Sequence, residues 1–330
     1  MRFIKLFCLP VALLALAACS GNNNNDDNSL IEARPALELS FTTAPVDLSG
    51  IAANYAEDVR YGEAERNLFD IYLPDCDDPT PLVIYIHGGG FTGGDKSNGH
   101  SNAEGIRELL QNCVAFATIN YTLLTVPSAE EGVSSIVAQG GVLPSLEDPV
   151  LRESTRLKAV GALATQSTYD LLRWEQVLLP ITQSLEGVLG GTDIPTVAGA
   201  VGATNYLLTF LGVDSIDAIS TPENEAYRAN VDMLGLMDAG DAPIYVQNFQ
   251  TGFDDLLNLF LHHGLHALAV KERADEVGLE SVAYSEEPAY ALTDPSGENL
   301  NSFLLRLVLE TTYRIGSVAE PDLRSRQIEA

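Results

Sequence analysis

The chain is 330 residues long and carries 46 acidic against 18 basic side chains, a formal net charge of −28. A field of that sign repels nucleic acid and anionic lipid surfaces, so neither is expected as a charge-recruited partner. The length suffices for one large α/β domain or two small ones.

At the N-terminus, Arg2 and Lys5 precede the apolar stretch Val11-Ala12-Leu13-Leu14-Ala15, and Leu16-Ala17-Ala18-Cys19 follows. The order reads as an export signal ending in a bacterial lipoprotein box. Cys19 would take the lipid anchor and become the first mature residue. The stretch is too short to remain in a bilayer as a spanning helix. An ordinary cleaved signal with an incidental cysteine is the alternative. Residues 1–18 are therefore read as a signal peptide and 19–40 as a disordered tether, since Gly21 to Ser29 is almost entirely Asn and Asp and has nothing to bury. Cleavage removes Arg2 and Lys5 and no acid, leaving 16 basic residues against 46 acidic ones. The expected location is the periplasm or the cell surface, with the membrane touched through the lipid alone.

Residues 41–330 are read as one domain. Strand-like runs fall at about 54–61, 67–73, 81–87, 113–121, 158–165, 243–249 and 280–285. Helix-like runs fall at about 102–112, 169–190, 196–211, 222–237, 254–277 and 298–312. Strands alternating with helices, the inner strands apolar throughout, predict an α/β fold with a doubly wound, mostly parallel sheet covered on both faces. The first two strands have only a short turn between them and read as an antiparallel edge hairpin. Residues 170–240 show no convincing strand and read as a helical lid insertion.

Cys76 and Cys113 are the two cysteines left once Cys8 leaves with the signal and Cys19 carries the lipid. Each precedes a predicted strand, so parallel neighbouring strands would bring both to one end of the sheet. A Cys76–Cys113 disulfide is expected in an oxidising compartment, with two small buried thiols as the alternative.

The apolar run Leu82-Val83-Ile84-Tyr85-Ile86 is followed at once by His87-Gly88-Gly89-Gly90-Phe91. Glycine lets the backbone turn sharply and present bare N–H groups to a developing negative charge. With Asn67 to Pro74, Gly93-Gly94-Asp95 and Ala115 to Tyr121, this segment resembles the α/β-hydrolase fold, in its carboxylesterase and hormone-sensitive-lipase-like branch. The resemblance covers roughly 55–310. It implies serine ester hydrolysis, with His87, Gly88, Gly89 and Gly90 building the oxyanion hole and the Gly89 and Gly90 N–H groups as donors. Pro243 to Val246 followed by Asp254-Asp255 resembles the strand and loop that deliver the catalytic acid, Asp254 first and Asp255 as alternative; either also suits a helix cap. No cofactor and no metal is implied.

Two family elements are missing. No serine has Gly at both −2 and +2, so the Gly-x-Ser-x-Gly elbow is absent, and the junction near Asp148/Pro149 looks like an internal deletion that removed the elbow strand. The strand at 81–87 is then expected to pair directly with that at 158–165. No histidine follows His266, where the family places its base after the last strand. Ser167 has elbow-like context but Thr165 and Tyr169 at −2 and +2; Ser134 has Gly132 before it but Ile136 after it. The nucleophile stays unassigned. His262, His263 and His266 leave three openings: a substitute base at His266, a metal shared by His262 and His266 one turn apart, or plain polar contacts. The function readings are correspondingly three: an ester hydrolase, a non-catalytic relative binding a small ester-like or apolar ligand or a partner, or an internally deleted gene product.

Overall fold

The protein is represented by a computed structural model that describes residues 39–76, 80–123, 157–252 and 255–316, the last seven by backbone alone. Residues 1–38, the Asp148/Pro149 junction, Ser134 and Asp254 lie outside the described residues. The chain groups into two compact units. One holds the residues up to Ile86 together with Lys96–Asn120; the other holds His87–Asp95 together with the residues from Tyr121 onward.

The first unit is a four-stranded sheet in the order β1-β2-β4-β3, made of β1 (Ala53–Arg60), β2 (Leu68–Pro74), β3 (Leu82–Ile86) and β4 (Ala115–Ile119). β1 and β2 form the expected antiparallel edge hairpin. β2 is also antiparallel to β4, and β3 is parallel to β4. Helix α1 (Ala103–Gln111) starts at Asn102, whose side chain accepts from the Gly105 N–H, and it buries Ile106, Leu109 and Leu110. It ends with Cys113 at φ 58°, the Cys113 N–H donating to Leu110 and the Val114 N–H to Leu109, the paired bonds of a Schellman stop. The parallel register Leu82↔Ala115 puts the residues preceding β3 and β4 at one end of the sheet. There Cys76 and Cys113 are joined in a disulfide, Cα–Cα 6.0 Å.

A buried charge network braces this unit. Asp70 on β2 is 2% exposed. Its Oδ1 accepts from Lys96 Nζ (2.6 Å) and from the Asp58 N–H (2.9 Å), and its Oδ2 meets His100 Nε2 at 3.0 Å. Burial alone would raise the Asp70 pKa, but the His100 and Lys96 bonds outweigh it and hold the carboxyl below its usual value. His100 Nδ1 in turn lies 2.9 Å from the Tyr72 hydroxyl. The Lys96 backbone is fixed as well: its N–H donates to Asn120 Oδ1 and its carbonyl accepts from Thr118 Oγ1.

The second unit has a parallel three-stranded sheet, β5 (Val160–Leu163), β6 (Ile244–Asn248) and β7 (Ser281–Ser285), in that order. Between β5 and β6 lie α2 (Trp174–Val177), α3 (Leu179–Ser184), α4 (Glu186–Leu189), α5 (Ile194–Ala200), α6 (Thr204–Leu211), α7 (Pro222–Asn230) and α8 (Met233–Leu236). This matches the helical insertion over 170–240, in shorter pieces than the periodicity suggests, because Pro180, Pro195 and Pro222 open helices and Gly190 and Gly212 close them. Trp174, Leu178, Val197, Leu207 and Leu211 pack with Phe260 and Leu265 into one apolar cluster. Helices α9 (Leu256–His262) and α10 (Leu265–Val277) follow β6, and α11 (Leu300–Gly316) follows β7. Ala267, Val270 and Ala274 of α10 cover one face of the sheet, and Phe303 of α11 covers the other.

One expectation is corrected. The run 254–277 is two helices, not one, broken at His263-Gly264. A Cβ at Gly264 would collide with Ser285 Oγ, so glycine is required where the chain passes the end of β7. Within the first unit β3 pairs with β4, and within the second β5 pairs with β6, among the described residues.

Candidate functional site

The loop His87–Asp95 leaves β3 as a tight turn. Gly89 sits at φ 120°, and a Cβ there would collide with the Gly93 backbone, so only glycine fits. Every carbonyl from 87 to 90 holds a donor. His87 O accepts from the Tyr121 hydroxyl (3.1 Å) and Gly88 O from His87 Nδ1 (2.7 Å). Gly89 O accepts from the Thr92 and Gly93 N–H groups (both 3.0 Å), and Gly90 O from the Tyr206 hydroxyl on α6 (2.9 Å). In a trans peptide the N–H of the next residue points opposite to the carbonyl. Capping four carbonyls therefore turns the N–H groups of Gly88, Gly89, Gly90 and Phe91 the other way, and among the described residues none of the four has a partner. Gly88, Gly89 and Gly90 are exposed. The result is a row of N–H donors without partners among the described residues, the polarity an oxyanion or a carboxylate requires.

Phe91 holds the far side of the loop at φ 62°, a left-handed conformation costing a non-glycine residue about 1–2 kcal/mol. Its ring is gripped by Tyr169 (5.4 Å between centroids), Phe210 (5.9 Å) and Tyr121 (6.2 Å). Tyr206 stacks on Phe210 at 6.3 Å, and His87 stacks on Tyr121 at 4.4 Å. The bare N–H groups thus adjoin an aromatic wall. His87 is 2% exposed and its Nε2 is buried without a partner; with Nδ1–H donating to Gly88, Nε2 is an acceptor in the neutral ring.

The catalytic half of the site is different. The chain has five histidines and all are described. His266, the candidate base, does meet Ser167: its Nδ1 lies 3.1 Å from Ser167 Oγ and 3.2 Å from the Ser167 nitrogen. Its Nε2 lies 2.9 Å from the Phe260 carbonyl, which can only accept, so the proton sits on Nε2 and Nδ1 accepts. Trp174 packs against the ring at 5.0 Å. His266 is 0% and Ser167 1% exposed, so no substrate reaches the pair. Nor does Ser167 open a helix: Asp170 caps the turn that follows, its side chain accepting from the Leu172 N–H. Among the described residues no carboxylate bonds His266, whose ring nitrogens meet Ser167 and the Phe260 carbonyl.

His262 Nδ1 lies 2.7 Å from the Ala164 carbonyl, and His263 Nδ1 accepts from the Leu265 N–H. Because α9 ends at His262, His262 and His266 do not share a helix face, and no group of three metal-ligating side chains occurs among the described residues. His100 belongs to the Asp70 network, both ring nitrogens engaged. Asp255 caps α9 through the Asn258 N–H at 2.7 Å, and Asp254 lies outside the described residues. Sequence reasoning missed Asn248, whose amide donates to the Thr165, His262 and His263 carbonyls and ties the ends of β5 and α9 together. It also missed Tyr206, for which no motif gives a signal.

Burial pushes the His266 pKa down to about 4, the Phe260 bond opposing it and His263 and His262 adding to it. A base depressed in the folded state leaves stability complete above the unfolded value of about 6.5 and lost as pH falls towards 4. Urea denaturation should therefore lose about 3 kcal/mol between about pH 7 and about pH 4 through this group. His266→Gln, which keeps a donor and an acceptor, should flatten that slope; an unchanged slope contradicts the assignment.

The BD-FAE family model, of the α/β-hydrolase type, matches residues 69–136. No curated protein matches the chain. Among solved structures the chain is similar to a phosphonate-inhibited esterase B from Lactobacillus rhamnosis at 16% identity, covering 80% of this chain and 86% of that one, TM-score 0.39. It is similar to a bacterial heroin esterase at 15% identity, 81% and 86% coverage, TM-score 0.38. It is also similar to a bifunctional GH43-CE protein from Bacteroides eggerthii at 13% identity, 79% and 38% coverage, TM-score 0.42. The chain is thus similar to the BD-FAE family over residues 69–136, and its likeness to the esterase structures is one of low identity.

Proposed function

We propose that this chain is a non-catalytic relative of the serine esterases that keeps the oxyanion loop and uses it to bind a small ester-like or apolar ligand. The observation that carries this reading is the state of the histidines. The ring that meets a serine is fully buried, offers Nδ1 rather than Nε2, and has its other nitrogen on a backbone carbonyl. Acyl transfer by serine needs a base that takes the hydroxyl proton and returns it to the leaving group at a site open to substrate. The missing Gly-x-Ser-x-Gly elbow supports the same reading from the sequence. An intact oxyanion loop favours the esterase reading instead, but donors alone do not supply the attacking atom. Fluorophosphonate labelling of the purified protein, with peptide mass spectrometry, separates the two. The expected result is no stoichiometric adduct on a protein that melts cooperatively. A single modified serine, lost on prior denaturation, would mean a rebuilt active site.

The N-terminal pattern supports a second proposal, that Cys19 is acylated after export and tethers the folded part to a membrane. Cys19→Ser should release the protein into the soluble fraction and abolish incorporation of a fatty-acid label. Retention in the membrane fraction would refute it.

A further inference from the structure

We infer that the ligand of the His87–Phe91 loop is an apolar monocarboxylate, a free acid in its anionic form rather than an ester, and that Tyr206 is the residue that positions the loop to receive it. The inference rests on the non-catalytic reading. In an active esterase the bare N–H groups wait for a charge that the nucleophile creates on the carbonyl oxygen. Without a nucleophile that charge never develops. Donors in such a site can then stabilise only a charge the ligand already has.

The loop's own hydrogen bonding narrows the ligand further. The carbonyls of His87, Gly88, Gly89 and Gly90 each hold a donor already, so a ligand hydroxyl or amide N–H would have to share an acceptor there. The N–H groups of Gly88 to Phe91 stand without partners among the described residues. An acceptor-only group fits this array, and a charged acceptor forms bonds roughly twice as strong as a neutral one. One end of the ligand is therefore anionic. The rest meets Phe91, Tyr121, Tyr169 and Phe210, whose rings form a continuous set of contacts 5.4 to 6.2 Å apart.

Tyr206 is the element that the insertion adds. Its hydroxyl caps Gly90 O at 2.9 Å while its ring stacks on Phe210, so a single side chain sets both the direction of the Gly90–Phe91 peptide and one side of the aromatic wall. The space at Gly90 is matched to it: a Cβ there would stand 3.1 Å from the Tyr206 oxygen. Tyr206→Phe keeps the ring and removes only the cap.

The test is isothermal titration of the full chain with hexanoate, methyl hexanoate and 1-hexanol. Hexanoate should bind about ten-fold or more tightly than the ester, the difference between charge-assisted and neutral hydrogen bonds. Because the protein is strongly acidic, hexanoate affinity should rise as salt is raised from about 0.01 M to about 0.15 M and screens the unfavourable field, while that of the neutral ligands should not. Tyr206→Phe should weaken hexanoate about five-fold, leave 1-hexanol unchanged and leave the melting temperature unchanged; a merely structural tyrosine would move all three together. An ester bound as tightly as the acid and recovered intact overturns the ligand class while the non-catalytic reading stands. Consumption of the ester overturns both. Binding of none of the three overturns the inference and leaves the non-catalytic reading to the labelling result.

Discussion

The site depends on one constraint: a peptide cannot turn its carbonyl inward without turning the next N–H outward. The His87–Phe91 loop applies it four times in succession. Tyr121, His87 itself, the Thr92 and Gly93 amides and Tyr206 take the carbonyls, and the amides of Gly88 to Phe91 are left without partners among the described residues. Glycines permit the backbone path, but the polarity comes from the groups that cap it. Two of those caps are phenol hydroxyls carried by rings that also wall the site. The donor array and its apolar surroundings are therefore specified by the same few side chains.

Ser167 and His266 touch beneath Trp174 with the imidazole anchored to Phe260, as a satisfied polar pair inside an apolar cluster. A neutral ring held by one acceptor and two donors belongs to a core. Asn248 does similar work at the strand ends, spending its amide protons on three carbonyls. In the first unit the buried Asp70 carboxylate is paired with Lys96 and hydrogen-bonded to His100. Such a pairing is costly to break, because removing one partner leaves another charge buried alone. It also fixes Lys96, the residue into which the loop runs as the chain re-enters that unit.

Much of the fold was legible because it is local. All seven strands fall within about two residues of where β-branched and aromatic runs place them, and the strand-then-glycine signal marks the loop. The Cys76–Cys113 link followed from two cysteines before two parallel strands. What the sequence hid depends on distant contacts. Apolar periodicity continues through His262-His263-Gly264, yet His263 turns to an extended conformation and Gly264 packs closely on Ser285. Ser167 and His266 lie 99 residues apart, and elbow-like context around Ser167 says nothing of its burial. Tyr206 lies 116 residues from the carbonyl it caps, in an insertion without a motif.

Amide NMR on protein labelled with 15N-glycine addresses the central claim most directly. If the loop presents bare donors, the Gly88, Gly89 and Gly90 amides exchange with solvent almost unprotected in the free protein; on adding hexanoate their proton resonances move and their exchange slows. Amides already protected without ligand, or unmoved by a carboxylate that binds elsewhere, would contradict the account.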